Sequence, residues 1–367
     1  MKVTQVNVYA KRLAMTAGYN MSSAAVGDPE TTVVEILTDT AHVGWGESCP
    51  TGPLPQVEHA QSIQADLGLL GPALIGVDPE RIGLVHDAMT SIMDGGQGGR
   101  SAIDIACWDL LGKAHNRRIC DLLGGARMDP VSTYHVIPIG TPETSAQLAE
   151  ALQDEGHTKL QLKSGGRHID EDIDAIHAVA RVTRPGVDLF VDFNRGWTVS
   201  ETLLVSQACR DLKLVIEQPC ATYAECATAR KHLHHPLILD ESATDLATIA
   251  RAISSGVADG FGMKLTRIGG ISGMRAIRDL CHATNTPTSC DDSWGGDIIA
   301  AACVHVGSTF HPHLSRGAWI SDPYQAKHYD DLHGPRIVNG TIAVPPGPGL
   351  GITIPAGYFG SPIASYA

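Results

Sequence analysis

Between Leu160 and Leu265 the chain repeats one short pattern five times: Leu160-Gln-Leu-Lys163, Leu189-Phe-Val-Asp192, Leu214-Val-Ile-Glu217, Leu237-Ile-Leu-Asp240 and Gly262-Met-Lys-Leu265. Each is an apolar run that closes on, or encloses, one charged residue. The intervals from Lys163 through Asp192, Glu217 and Asp240 to Lys264 are 29, 25, 23 and 24 residues. Each is the length of one strand plus one helix, and helix-period stretches such as Ser200 to Cys209 and Leu246 to Ser254 fill the gaps. Further strands are predicted at Ser132 to Ile139 and Thr288 to Asp292, with a weaker eighth around Gly317 to Ser321. Consecutive βα units without reversal of pattern favour a (β/α) barrel over an open sheet.

Working outward, the texture before residue 125 differs. Strands at Val3 to Tyr9 and Thr31 to Thr38 come first. A Gly/Pro-rich loop and helices follow, the best of them from Ser101 to Lys113 before a Gly124-Gly125 stop. The expected fold is α/β, a modified TIM (β/α) barrel with an N-terminal α+β capping domain completed by the C-terminal tail. The expected boundaries are 1–125 for the cap, 126–335 for the barrel and 336–367 for a segment returning to the cap.

The 367 residues carry 27 basic and 40 acidic side chains, a formal charge of −13, which argues against nucleic-acid or anionic-membrane partners. Nine cysteines, an odd number without a Cys-x-x-Cys pair, read as reduced core residues and not as a disulfide frame or zinc site. Met1 to Tyr9 alternates like a strand and lacks the apolar core of a leader peptide, and no apolar run approaches a membrane span. The expected location is the cytoplasm.

In a barrel, residues closing successive strands gather at the C-terminal rim, where such barrels hold their active sites. Asp192, Glu217 and Asp240 would converge there, and three neighbouring carboxylates repel unless a cation joins them. An all-oxygen donor set suits a hard ion, Mg²⁺ first and Mn²⁺ as the alternative. Lys163 and Lys264 lie four strands apart and face each other across the ring. Placed on either side of one carbon, they can remove a proton from one face and return it to the other. Burial and a nearby Mg²⁺ are expected to lower a lysine pKa toward working pH. His232, His234 and His235 read as a solvated helix end, and Gly95 to Gly99 as a turn.

Taken together, Gln161-Leu-Lys163, Asp192-Phe-Asn-Arg-Gly-Trp197, Glu217-Gln-Pro219, Asp240-Glu241 and Lys264 resemble the enolase superfamily, specifically its muconate-lactonizing-enzyme-like subgroup with paired lysines. The resemblance spans essentially the whole chain. It implies that Asp192, Glu217 and Asp240 bind Mg²⁺, that Lys163 and Lys264 are the acid/base pair, and that Asn194 supports the metal site. Cys290-Asp-Asp-Ser-Trp-Gly-Gly-Asp297, Gly317-Ala-Trp319 and Asp322 to Asp330 look like the hydroxyproline betaine 2-epimerases and their relatives. In those enzymes the aromatic matching Trp319 faces a quaternary ammonium. Gln161 stands where much of the subgroup has lysine, as it does in the betaine epimerases. Pro55 stands where those epimerases complete the cation box with tyrosine, and Tyr19 in the other cap loop is the candidate replacement. Asp292 has two open roles: holding the ammonium or ring hydroxyl, or capping the next helix.

These residues predict a racemase or epimerase working at the α-carbon of a carboxylate, a proline or hydroxyproline betaine, by two-lysine 1,1-proton transfer through an enediolate. The alternative keeps the first step and expels a β-hydroxyl, giving a dehydratase of a cis-3-hydroxyproline-type acid. A non-catalytic barrel that only binds a small acid or metal is the rival from another class. The expected partner is a small carboxylate substrate, with a homo-oligomer implied by resemblance alone.

Overall fold

In a computed structural model, which describes residues 1–16, 19–20, 25–52 and 57–367, the chain builds a cap and a barrel around one shared helix. The side chains of residues 19, 20, 25 and 26 are not described, so the expected contact of Tyr19, like that of Pro55, lies outside the described residues.

The cap is a four-stranded antiparallel sheet. Strands β1 (Val3–Arg12), β2 (Glu30–Thr38) and β3 (Val43–Ser48) follow one another, and the last strand of the chain, Ala364–Tyr366, pairs with β1 through Val6 and Tyr366. Helices α1 (Ala60–Ala73) and α2 (Ile82–Thr90) cover the sheet. Helix α3 (Gln97–Ala114) joins cap to barrel. Every residue from Gly98 to Leu110 is buried: Ala102, Ile103 and Ala106 pack in the cap core, while Ile105 and Trp108 pack in the barrel core. A helix buried on all sides is one sandwiched between two cores, and its polar side chains, Asp104 and Asp109 among them, are buried with it. It sits so close to β3 that a Cβ on Gly46 would lie 1.8 Å from the Ala102 carbonyl oxygen, and one on Gly44 2.4 Å from that of Ala106.

The barrel strands are β4 (His135–Ile137), β5 (Lys159–Lys163), β6 (Asp188–Asp192), β7 (Val215–Glu217), β8 (Leu237–Leu239), β9 (Gly260–Phe261), β10 (Thr288–Cys290) and β11 (Ser315–Ala318). All eight pair in chain order and in parallel, and a bridge from Thr133 to Ala318 brings the last strand round to the first. Five of the helices between them start at polar side-chain caps, at Thr141, His168, Thr198, Thr222 and Asp245. Thr198 with Glu201 and Thr222 with Glu225 form reciprocal capping boxes that satisfy the first free N–H groups. The sixth strand differs from expectation: it is Gly260–Phe261 and not Gly262 to Leu265. Beyond Phe261 the chain keeps only an isolated bridge between Lys264 and Asp291, so Lys264 sits just past the strand end. The tail also pairs in two places, since Ile337–Val338 and Thr341–Ile342 extend a small sheet with Val131–Ser132 before the last strand reaches the cap.

Among the described residues no helix is long and apolar enough to cross a membrane. All nine cysteines are free and buried. His235 departs from the solvated helix end expected for its cluster: it is buried, with its ring bonded to Ser206 Oγ and the Cys209 carbonyl, both at 3.1 Å.

Candidate active site

Strand register builds the site directly. Lys163 lies beside Asp192, and Asp192 beside Glu217, on three adjacent parallel strands, so the three side chains leave the same face at the same height. Asp240 follows the end of β8. One oxygen from each of Asp192, Glu217 and Asp240 lies within 4.8 Å of the others, and all three residues are buried.

Each carboxylate is fixed by donors on its far side. Asp192 Oδ1 accepts the Asn194 N–H at 2.9 Å, and Glu217 Oε2 accepts Gln161 Nε2 at 2.9 Å. Asp240 Oδ1 accepts Arg267 Nη1 at 2.7 Å. The lysines approach from opposite sides of the triad: Lys163 Nζ is 2.5 Å from Asp192 Oδ2, and Lys264 Nζ is 3.1 Å from Asp240 Oδ2. Gly262 leaves room for the middle acid, because a Cβ there would lie 2.8 Å from Glu217 Oε1.

The electrostatics are those of a cation site. Burial, then the charges of Asp192 and Asp240, push the Glu217 carboxyl well above its ordinary value. Burial pushes Asp240 the same way, but Lys264 and Arg267 together outweigh it and hold that carboxyl down at about 2. Glu241 is pushed up to about 7 by burial and by the same two aspartates. Its Oε2, like Asn194 Oδ1, is buried without a hydrogen-bond partner. Three converging oxygens, the repulsion borne by Glu217 and two orphaned oxygens beside them fit a hard divalent ion completed by further oxygen ligands. Among protein groups alone the balance at Lys264 runs opposite to the expected lowering. Burial pulls the ammonium down, but Asp240, followed by Asp291, more than reverses it and the pKa rises.

Above the triad opens a cavity. Lys163, Lys264, Gln161, Asn194, Asp292 and Trp319 all line it, so every described candidate meets in one place. Asp292 does not cap the helix that follows it; its Oδ2 accepts the Thr266 N–H at 2.7 Å and Thr266 Oγ1 at 2.5 Å, and its Oδ1 accepts the Ser293 N–H at 2.6 Å. The next helix, α4 (Asp297–Ser308), begins only after Gly296. Trp319 is joined by Trp294, ring centroids 5.4 Å apart and nearly edge-on, with Tyr324 behind both.

Sequence reading missed Trp294, Arg267, Glu241 and Asp291 as site residues. Arg267 spans Asp240 and the carbonyls of Ala243 and Gly262 from a 3₁₀ turn at Thr266–Ile268, and no periodicity marks such a turn. Asp291, which accepts from Ser289 Oγ, the Trp319 N–H and Tyr134 Oη, was masked by its neighbour Asp292. Burial, only partly offset by Lys264 and Ser289, pushes it up to about 6.

The comparisons agree with this geometry. Residues 143–357 match the family described as enolase C-terminal domain-like, and residues 3–124 match the mandelate racemase / muconate lactonizing enzyme N-terminal domain. The chain is 37% identical over 370 residues to the cis-3-hydroxy-L-proline dehydratase of Roseibium aggregatum, covering 100% of both. It is 30% identical over 277 residues, 74% of each chain, to the N-succinyl-L-Arg/Lys racemase of Bacillus cereus. A member of the enolase superfamily from Roseovarius nubinhibens, solved complexed with magnesium, superposes with TM-score 0.95 at 29% identity, over 100% of this chain and 99% of that one. Barrel, cap and carboxylate triad together with these matches make the chain an enzyme of the mandelate racemase/muconate lactonizing enzyme family of the enolase superfamily.

Proposed function

We propose that the chain is a Mg²⁺-dependent dehydratase of a cis-3-hydroxyproline-type acid. The observation that carries the reading is the placement of Lys163 at the end of one strand and Lys264 just past the end of the strand four further on, on opposite sides of the carboxylate triad. In the cis isomer the ring hydroxyl shares a face with the carboxylate, so the Cα–H bond points to the other face. Loss of water from this isomer is an anti elimination, and it needs a base on one face and an acid on the other.

Mg²⁺ held by Asp192, Glu217 and Asp240 would supply the positive charge that acidifies the α-proton of a bound carboxylate. One lysine, as the neutral amine, takes the Cα proton. The electron pair forms the C2=C3 bond as C3–O breaks, and the opposite lysine, as the ammonium, gives its proton to the departing oxygen. Water and a cyclic enamine leave, and the enamine tautomerises to the imine. Asp292, anchored by three donors, offers its carboxylate to the ring ammonium, and Trp294 and Trp319 wall the ring. Pro55, where the betaine epimerases carry tyrosine, favours an ammonium that still has N–H bonds to donate over a quaternary one. The relative at 37% identity points the same way and moves the dehydratase ahead of the epimerase expected first from sequence.

The epimerase stays as the second reading, because the same lysine pair can return the proton to Cα, and two tryptophans with centroids 5.4 Å apart suit a quaternary cation. Incubation in D₂O with Mg²⁺, followed by NMR, separates them. The dehydratase consumes L-cis-3-hydroxyproline and yields the imine. If that substrate persists while proline betaine gains deuterium at Cα with its skeleton intact, the epimerase reading replaces it. No exchange with either compound would favour a binding barrel.

A further inference from the structure

Glu47, at the end of β3, is fully buried and takes no part in the proton transfers above. Its Oε1 accepts Thr31 Oγ1 at 2.8 Å, Tyr329 Oη at 2.7 Å and the Gly296 N–H at 2.8 Å, and its Oε2 accepts the Ile299 N–H at 3.1 Å. Gly296 and Ile299 lie at the start of α4, where free N–H groups and the helix dipole favour an anion. One cap carboxylate thus closes the N-terminus of a barrel helix and holds Tyr329 of the segment that follows β11.

All three arms of this fastening run to the substrate cavity. Toward the barrel, Gly295 and Gly296 connect it to Trp294 and Asp292 in the cavity wall. Toward the cap, the chain from Glu47 reaches Thr51, also in the wall, four residues later. The third arm begins at Ser321, whose Oγ donates to the Gly295 carbonyl at 2.5 Å, and carries Tyr324 against Trp294 and Trp319. The fit is tight: a Cβ on Gly296 would lie 2.1 Å from the Tyr329 ring, and one on Gly295 2.2 Å from Ile299.

We infer that Glu47 is the positioning residue that ties the cap to the aromatic wall of the substrate cavity and thereby sets how tightly the substrate is held. The inference rests on the site of the proposed function but not on which carboxylate fills it. Glutamine at 47 keeps the shape but turns an NH₂ group toward one of four donors, so a buried N–H or O–H loses its acceptor. Tyr329→Phe removes one of the four bonds and keeps the ring packed on Tyr358 and Phe359.

The test compares E47Q and Y329F with wild type under saturating Mg²⁺. Expected is a KM raised about tenfold in E47Q and about threefold in Y329F, with kcat within about twofold and Mg²⁺ affinity by calorimetry unchanged. Titration of tryptophan fluorescence with L-proline should show the same shift in Kd without turnover. Unchanged KM and Kd with only a lowered melting temperature would reduce Glu47 to a structural fastener and overturn the inference, as would a fall in kcat at constant KM. If E47Q does not fold, Y329F decides alone. If wild type leaves L-cis-3-hydroxyproline intact, the proposed function fails, and the ratios are read on the α-carboxylate that wild type does exchange.

Discussion

Two groups of buried acids lie within this molecule and behave in opposite ways. Glu47, Asp104 and Asp109 lie between cap and barrel, each surrounded by donors from distant segments. Asp104 accepts His86 Nε2 at 2.8 Å, Ser272 Oγ at 2.5 Å and the Ser272 N–H at 3.0 Å. Asp109 accepts the Trp45 and Leu350 N–H groups at 3.0 and 2.9 Å and Lys113 Nζ at 2.6 Å. Asp192, Glu217 and Asp240 instead converge on one another, with fixing donors behind them and an open cavity in front. The first group is satisfied by donors of the fold, and the second turns three oxygens to one point, a donor set that fits a hard cation. What separates a fastener from a ligand is the company each carboxylate keeps, since both groups are equally buried.

The contrast breaks most sharply if the rim turns out to carry stability instead of chemistry. Lys163→Ala and Lys264→Ala should each lower turnover by about 10³-fold or more, in the upper range of general acid–base effects, while circular dichroism and melting change little. A variant that retains a tenth of wild-type activity would remove that lysine from the proposed pair. The reverse holds at the interface. Asp104 is itself fully buried, so Asp104→Asn turns an amide toward one of three donors and should destabilise by about 2 kcal/mol in urea unfolding. Its bond to Asp104, outweighing burial, raises the His86 pKa. The stability from that pair is fully present below the unfolded-state value and fades as pH rises through the folded one, so the Asn variant should lose more at pH 5.5 than at pH 8.5. An equal loss at both would show that the Ser272 bonds, and not His86, carry the effect.

The same contrast explains what could be read from sequence. Asp192, Glu217 and Asp240 close successive parallel strands, so a one-dimensional interval of 23 to 25 residues encodes a three-dimensional cluster. Lys264 was found although its strand was placed two residues late, because Gly260-Phe-Gly-Met-Lys-Leu265 stays apolar after the ladder has ended. The interface acids leave no such trace. Two of the four donors of Glu47 are backbone N–H groups about 250 residues away, which have no sequence signature. One signal was available: Gly44-Trp-Gly-Glu47 places glycine at alternate positions, and those are the two that α3 presses against. Alternating glycines in a strand mark a close backbone approach, and so a docking face. Tyr19 and Pro55 remain expectations from sequence, outside the described residues.

The smallest predicted effect is the most diagnostic, because its sign depends on the medium. Glu217→Gln keeps an oxygen for Gln161 Nε2 and turns an NH₂ toward Asp192 and Asp240, replacing a repulsion with a donor. In EDTA this variant should be more stable than wild type by about 1 kcal/mol, since one of three crowded charges is gone. With Mg²⁺ the order should reverse. A ligand at 100 times its Kd stabilises by about 2.7 kcal/mol, and a variant lacking one carboxylate ligand forfeits most of that gain. Melting curves in EDTA and in Mg²⁺ should therefore cross between the two proteins. If Glu217→Gln is the less stable in both media, Glu217 belongs with Glu47 and Asp104 as a fastener, and the distinction between the two groups of acids fails at the residue that bears the strongest repulsion.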